Sequence, residues 1–200
     1  MRVRLKGALV AGALATGLLV LAGCGQPTSS NDVAGQGYVS NDGSTRTWDA
    51  GDREGPVALS GTDFEGAPQD VADWRGDVVV LNTWYANCPP CRAEAPDLAK
   101  VATDYADKGV HVLGINHTDA AGTAQAFQTK FAMPYPSIAD TDGTAVAALE
   151  GVVPINAVPT TILLDRQGLV AGRILGVVDP STLRSMIDEL VAEPVATPAS

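Results

Sequence analysis

Histidine is almost missing from this chain: among 200 residues only His111 and His117 carry an imidazole. Cysteine is nearly as rare, with three thiols, at positions 24, 88 and 91. A structural zinc site takes four ligands, typically from paired cysteines or closely spaced histidines, so candidates this few argue against a metal. Basic charge is also in short supply. Thirteen Lys and Arg face 23 Asp and Glu, for a net charge of −10, and such a chain repels nucleic acid and anionic lipid. A long apolar run is wanting as well. The uncharged stretch from Gly7 to Ala22 covers 16 residues, short of the ~20 that a bilayer-spanning helix needs.

That stretch has the layout of an export signal. Arg2, Arg4 and Lys6 precede it and small residues end it, the order of a basic n-region, a short h-region and a processing site. Its end, Leu21-Ala22-Gly23-Cys24, resembles a bacterial lipoprotein box, where cleavage falls before the cysteine and the thiol takes a lipid. An uncleaved anchor helix with an incidental cysteine is the alternative. Three thiols in an exported protein would leave one unpaired. Lipidation of Cys24 leaves the pair Cys88 and Cys91 in a compartment that permits disulfides. Loss of residues 1–23 removes three basic groups and leaves 10 against 23, net −13. The expected place is the extracytoplasmic face of the cell membrane, held by the lipid and not by a basic patch.

Composition then divides the chain. Residues 24–55 are rich in Gly, Ser, Asn, Asp and Thr and read as a flexible tether; about 30 such residues reach roughly 30 Å. Residues 56–193 are the expected folded domain, and 194–200 a proline-broken, disordered tail. Within the domain, Val78–Leu81 continues into Asn82-Thr83-Trp84 as a strand covered on both faces. Leu98, Val101, Ala102 and Tyr105 then recur at helical spacing over 91–107, Gly109 closes the helix, and Val110–Ile115 is a second buried strand. A helix over 120–131, a short strand over 134–139 and a short helix over 143–150 follow. Thr161–Leu164 and Leu169–Leu175 flank the turn Asp165-Arg166-Gln167-Gly168 as a hairpin. Asp179 caps a last helix that opens with Pro180. The pattern is α/β: a mixed central sheet flanked by helices.

On this map the segment Trp84-Tyr85-Ala86-Asn87-Cys88-Pro89-Pro90-Cys91 puts Cys88 in a strand-to-helix joint and Cys91 in the first helical turn. Free N–H groups and the positive end of a helix favour a thiolate there, and the thiolate is the reactive form. The prolines withhold two N–H donors but fix the backbone and hold the sulfurs close. A disulfide staple over so short a loop removes little unfolded-state entropy. A redox dithiol is therefore favoured over a staple or a metal.

Trp84, Cys88-Pro89-Pro90-Cys91, Glu94, Pro96 and Val158-Pro159-Thr160-Thr161 together resemble a thioredoxin-fold oxidoreductase of the membrane-tethered TlpA/ResA-like branch. The resemblance covers residues 56–193, and 117–157 match the branch's insert between the βαβ unit and the proline-bearing strand. It implies that Cys88, nearer the exposed end of the joint, attacks and that Cys91 resolves the mixed disulfide. It implies that Pro159 is cis and faces the cysteines, leaving the Val158 backbone to pair with a substrate; an ordinary trans turn proline is the alternative. Glu94, on the side of the helix shared with Cys91, would exchange protons with the dithiol if shielded from water; as a solvated acid it would only complement the helix N-terminus. Trp84 shields the joint or packs in the core. Pro96 reads as a structural kink, and Phe64, Trp74 and Tyr135 as core or surface. Asn82 stands where cytosolic thioredoxins carry a buried aspartate, which gives Glu94 more to do, and Asn87 stands where relatives carry an aromatic.

No cofactor is implied. The expected activity is reduction of disulfides in exported proteins, cytochrome c precursors or metallochaperones among them, with a membrane thiol relay supplying the electrons. The Pro-Pro spacer offers neither a basic group nor an N–H, so the pair should be more reducing than that of the strong oxidants of this fold. Two rivals remain: a thiol peroxidase, whose threonine and proline are lacking among residues 84–87, and a copper-binding assembly factor using Cys88, Cys91 and His117.

Overall fold

The computed structural model describes residues 38–152 and 157–194. In chain order these form β1 (Tyr38–Val39), β2 (Thr45–Thr47), β3 (Ser60–Thr62), β4 (Pro68–Asp70), β5 (Val78–Thr83), α1 (Pro89–Tyr105), β6 (Val110–Asn116), α2 (Ala121–Lys130), β7 (Ser137–Ala139), α3 (Thr144–Ala147), β8 (Thr160–Leu164), β9 (Val170–Leu175) and α4 (Pro180–Ala192). The expected leader 1–23, the lipidation site Cys24, the tether up to residue 37 and the tail from residue 195 lie outside the described residues.

Seven strands form one mixed sheet in the order β1-β2-β9-β8-β5-β6-β7, and β3 with β4 makes a separate hairpin. β5, β6 and β7 run parallel, whereas β8 is antiparallel to both β5 and β9. All six residues of β5 are buried, as a strand covered on both faces requires. Successive side chains alternate between faces. Val78 and Val80 meet Leu98, Val101, Leu183 and Ile187 of α1 and α4, while Val79 and Leu81 meet Leu59, Leu113, Ile138, Ile162 and Leu149 on the other side. The expected α/β architecture with a thioredoxin-like core is the one observed, and α2, β7 and α3 occupy the expected insert.

Local chemistry sets the element ends. Two prolines fill the first turn of α1, where their missing N–H groups cost nothing. The helix tightens through Ala106–Lys108 and stops at Gly109, whose φ of 68° suits glycine. β7 starts at Ser137 and not at 134, because Pro134 and Pro136 have no N–H for a ladder. α3 spans Thr144–Ala147, shorter than the 143–150 expected, and turns follow it. In the hairpin turn, Asp165 accepts from the N–H groups of Gln167 and Leu169 at 2.9 Å each.

The tether reading of residues 24–55 fails at its C-terminal end. β2 pairs with β9 in the main sheet, Thr45 opposite Ile174 and Thr47 opposite Gly172. Arg53 reaches across the fold: its guanidinium lies 3.0 Å from Asp165 and also pairs with Glu193, and the Arg53 and Asp165 side chains are 7 % and 4 % exposed. A buried carboxylate needs such a partner, since removing one member of a buried pair costs about 3–5 kcal/mol. Polar composition misled here because strands near a sheet edge can be polar, and Arg53 finds its partners 112 and 140 residues away. The folded unit therefore includes residues from Tyr38 onward.

Candidate active site

β5 leaves the sheet at Thr83 and the chain turns through residues 84–88 into α1. Backbone and side-chain groups from neighbouring elements clamp this joint. The Trp84 N–H donates to Ile115 O at 3.1 Å, the Ala86 N–H to Asp119 Oδ2 at 2.6 Å, and Arg92 Nη1 to Ala86 O at 3.0 Å. Asn116 in turn donates to Asp119 at 2.8 Å and accepts from the N–H groups of Thr118 and Asp119. Asp119 was not singled out in the sequence. The signal was an Asn-x-x-Asp turn directly after a buried strand.

Cys88 is the N-cap of α1, and its Sγ accepts from the Cys91 N–H at 3.1 Å. The two sulfurs form a disulfide of 2.02 Å. Neither is open to water: Cys88 is 1 % and Cys91 2 % exposed. The expectation that Cys88 lies nearer the exposed end is thus not met in this oxidised form. Phe64, Trp84, Ala95, Ala124 and Phe127 pack around the pair, with Tyr85, Ala86 and Val158 at the rim. Trp84 is 2 % exposed and packs in the cluster that holds the cysteines. It stacks on Phe127 with ring centroids 4.5 Å apart, and its Nε1 donates to Ser137 Oγ at 3.2 Å. Gly114 allows that bond, because a Cβ there would stand 2.1 Å from Ser137 Oγ and 2.6 Å from Trp84 Nε1.

Glu94 lies inside the molecule, 1 % exposed. One carboxylate oxygen accepts from Asn82 Nδ2 at 2.9 Å and the other from the Val178 N–H at 3.0 Å. Burial pushes its pKa up to about 7, against the opposing pull of those two hydrogen bonds. The shielded reading of Glu94 is the one the structure supports. Asn82 also donates to Thr161 Oγ1 at 3.2 Å, so β5, β8, α1 and the loop before α4 meet at one carboxyl group. Tyr135, left open in the sequence, is buried near it. Desolvation and the charge of Glu94 hold its hydroxyl above the ordinary tyrosine range, and the hydroxyl has no partner among the described residues.

The Val158–Pro159 peptide bond is cis, and Val158 packs against the cysteine cluster. Pro159 O accepts from the Gly176 N–H at 2.9 Å, and Thr160 is tied to Thr83 Oγ1 at 3.0 Å. The Val158 N–H and C=O make no hydrogen bond among the described residues. His111 is engaged elsewhere, 2.9 Å from Asp77 and stacked on Trp74, and His117 is exposed. Among the described residues no three of His, Cys, Asp and Glu stand close enough to hold a metal ion.

Glu94 holds its proton more tightly in the folded chain than in the unfolded one. Between its ordinary 4.5 and about 7 the folded state carries the extra proton, so stability falls as pH rises through that window. The contribution is complete below the lower value and gone above the upper one, about 3 kcal/mol at 1.36 kcal/mol per unit. Urea unfolding of the wild type should lose about this much between pH 4.5 and 8 relative to Glu94→Gln. Parallel profiles for the two proteins would mean that the carboxyl titrates normally.

Residues 54–173 match the model of the AhpC/TSA family. The thiol:disulfide interchange protein DsbE of Pseudomonas aeruginosa is 35 % identical over 130 residues, 62 % of this chain and 68 % of that one. The thiol-disulfide oxidoreductase ResA of Halalkalibacterium halodurans is 32 % identical over 106 residues, 53 % of this chain and 58 % of that one. Among solved structures, a secreted thiol-disulfide isomerase from Corynebacterium glutamicum superposes with a TM-score of 0.71 at 33 % identity, covering 80 % of this chain and 100 % of that one. A DsbF homologue from Corynebacterium diphtheriae gives 0.66 at 32 % identity, covering 76 % and 98 %. With a disulfide capping the helix that follows the central strand and a cis-proline beside it, the chain belongs to the AhpC/TSA family and is a thiol-disulfide oxidoreductase of the DsbE and ResA type.

Proposed function

We propose that the chain is a lipid-anchored, extracytoplasmic disulfide reductase. In the reduced form the Cys88 thiolate attacks one sulfur of a partner's disulfide and expels the other as a thiolate. Cys91 then attacks the Cys88 sulfur, releases the second partner thiolate and closes the Cys88–Cys91 bond. Two electrons pass to the partner, and two protons follow. Glu94, with its pKa near 7, is suited to carry the proton that Cys91 must lose before it can attack. The Val158 backbone, beside Pro159 and without a hydrogen bond among the described residues, offers a short strand for the partner to line up on. Because the sulfurs are covered in the oxidised form, recharging by a membrane thiol relay requires the rim of Val158, Tyr85 and Ala86 to yield.

The observation that carries the direction of electron flow is the hydrogen bonding of Cys88. Pro89 and Pro90 fill the first two helical positions, leaving the Cys91 N–H as the donor from the first turn that reaches Cys88 Sγ. Weaker thiolate stabilisation makes a dithiol more reducing. Equilibration with glutathione should give a potential well below the about −120 mV of a strong oxidant; a value near that figure would reverse the assignment.

Partners are exported proteins with accessible disulfides, cytochrome c precursors and metallochaperones among the candidates. Cys91→Ser should hold such partners on Cys88 as mixed disulfides that dithiothreitol releases. If the wild type reduces insulin while the variant captures no exported protein, this partner class is wrong. Cys24 is the proposed lipid acceptor, and Cys24→Ala should move the protein from the membrane fraction to the soluble one. An unchanged membrane fraction would point instead to an uncleaved anchor in residues 1–23.

A further inference from the structure

Several arginines among the described residues are given something negative or aromatic to hold. Arg53 has Asp165 and Glu193, Arg184 has Asp104, and Arg92 lies over Phe127 and Phe131. Arg46 and Arg173 are placed against each other. They are register partners on β2 and β9, directly opposite each other, so their side chains share a face of the sheet and their charges oppose each other there. Acidic residues outnumber basic ones 23 to 13 in the sequence, yet among the described residues no carboxylate comes within ion-pair distance of either guanidinium.

Their hydrogen bonding is equally incomplete. The Nε atoms of both arginines are buried without a hydrogen-bond partner among the described residues. Arg173 spends Nη1 on Val152 O at 2.8 Å, and Arg46 rests over the Trp48 ring, its guanidinium carbon 4.5 Å from the centroid. Arg46 and Trp48 also line a cavity of about 230 Å³, together with Glu54, Gly151, Val152 and Val170. Arg173 ties the Val152 wall of that cavity. One guanidinium, resting against an aromatic ring, therefore lines a space of small-ligand size, and a second cation stands directly across the strand pair from it. Glu54 on the wall limits the net charge a ligand can bring.

We propose that the Arg46–Arg173 pair with Trp48 is a binding site for a small oxyanion, a phosphate or a carboxylate group. Guanidinium forks match both groups, and the anion offsets the repulsion that the strand register imposes. The site lies on one face of the main sheet where β2 pairs with β9, and it shares no residue with the cluster around the disulfide.

The test titrates the full chain with inorganic phosphate, with acetate and with sodium chloride at matched ionic strength. The readouts are the thermal midpoint and the arginine Nε–H resonances. At tenfold the dissociation constant the midpoint should rise by about 3 °C, with saturable shifts of the Arg46 and Arg173 signals. Arg46→Gln should abolish the response and, without phosphate, unfold no earlier than wild type, because the repulsion is gone. Saturation by phosphate alone identifies a phosphate site, and saturation by both ions one that also takes carboxylates. A phosphate response equal to that of sodium chloride, or one that survives in Arg46→Gln, overturns the proposal.

Discussion

A carboxyl group held away from water between the central strand and the first helix is the constraint around which this molecule is arranged. Burying a charge costs several kcal/mol unless donors compensate it. Glu94 has two, Asn82 from β5 and the Val178 N–H from the loop before α4. Two neutral donors lower the cost without abolishing it, so the proton affinity rises to near neutrality and stops there. A salt bridge would have driven the pKa down, and a wholly apolar pocket would have driven it further up. The identity of residue 82 matters for the same reason. An aspartate there would face Glu94 with a second negative charge, whereas the asparagine amide donates to it and to Thr161.

The bond from the Val178 N–H also links Glu94 to the loop that holds the cis-proline. Val178 belongs to the turn that begins at Gly176, and the Gly176 N–H holds Pro159 O. Thr160, next in the chain, is fastened to Thr83 at the end of β5. Glu94, the cis-proline and the end of the central strand are thus positioned by one set of backbone and hydroxyl contacts. On the opposite side, Asn116 and Asp119 at the end of β6 hold the backbone of Ala86. The cysteine joint is fixed from both flanks, and its own residues contribute little more than the prolines that start the helix.

The cysteine pair at the start of α1 was legible in the sequence because it is local. Two cysteines three apart at the end of an apolar run define a helix N-terminus, and Glu94 follows one turn later on the same helix. The burial of Glu94 was not legible, since it depends on Asn82 and Val178, which stand 12 and 84 residues away. Asp119 escaped for a related reason: nothing about a lone acid in a loop announces that a distant N–H needs it. The N-terminal strands were misread because their polar residues gain their place by pairing with β9 and by the reach of Arg53, not by an apolar face of their own. Periodicity reports burial along one element and is silent about partners supplied by another.

The packing around the sulfurs also limits how they can be approached. Phe64, Trp84 and Phe127 wall them in, and Trp84 cannot swing easily, being stacked on Phe127 and bonded to Ser137. Any side chain at position 114 would break that arrangement. The residues at the other margin are smaller or already turned to solvent: Asn87 and Pro89 are exposed, Ala86 is half-buried, and Val177 is 50 % exposed beside the turn that holds Pro159. The cover over the disulfide is therefore lighter on the side of Asn87 and Val158. An asparagine at position 87 leaves that margin polar and open.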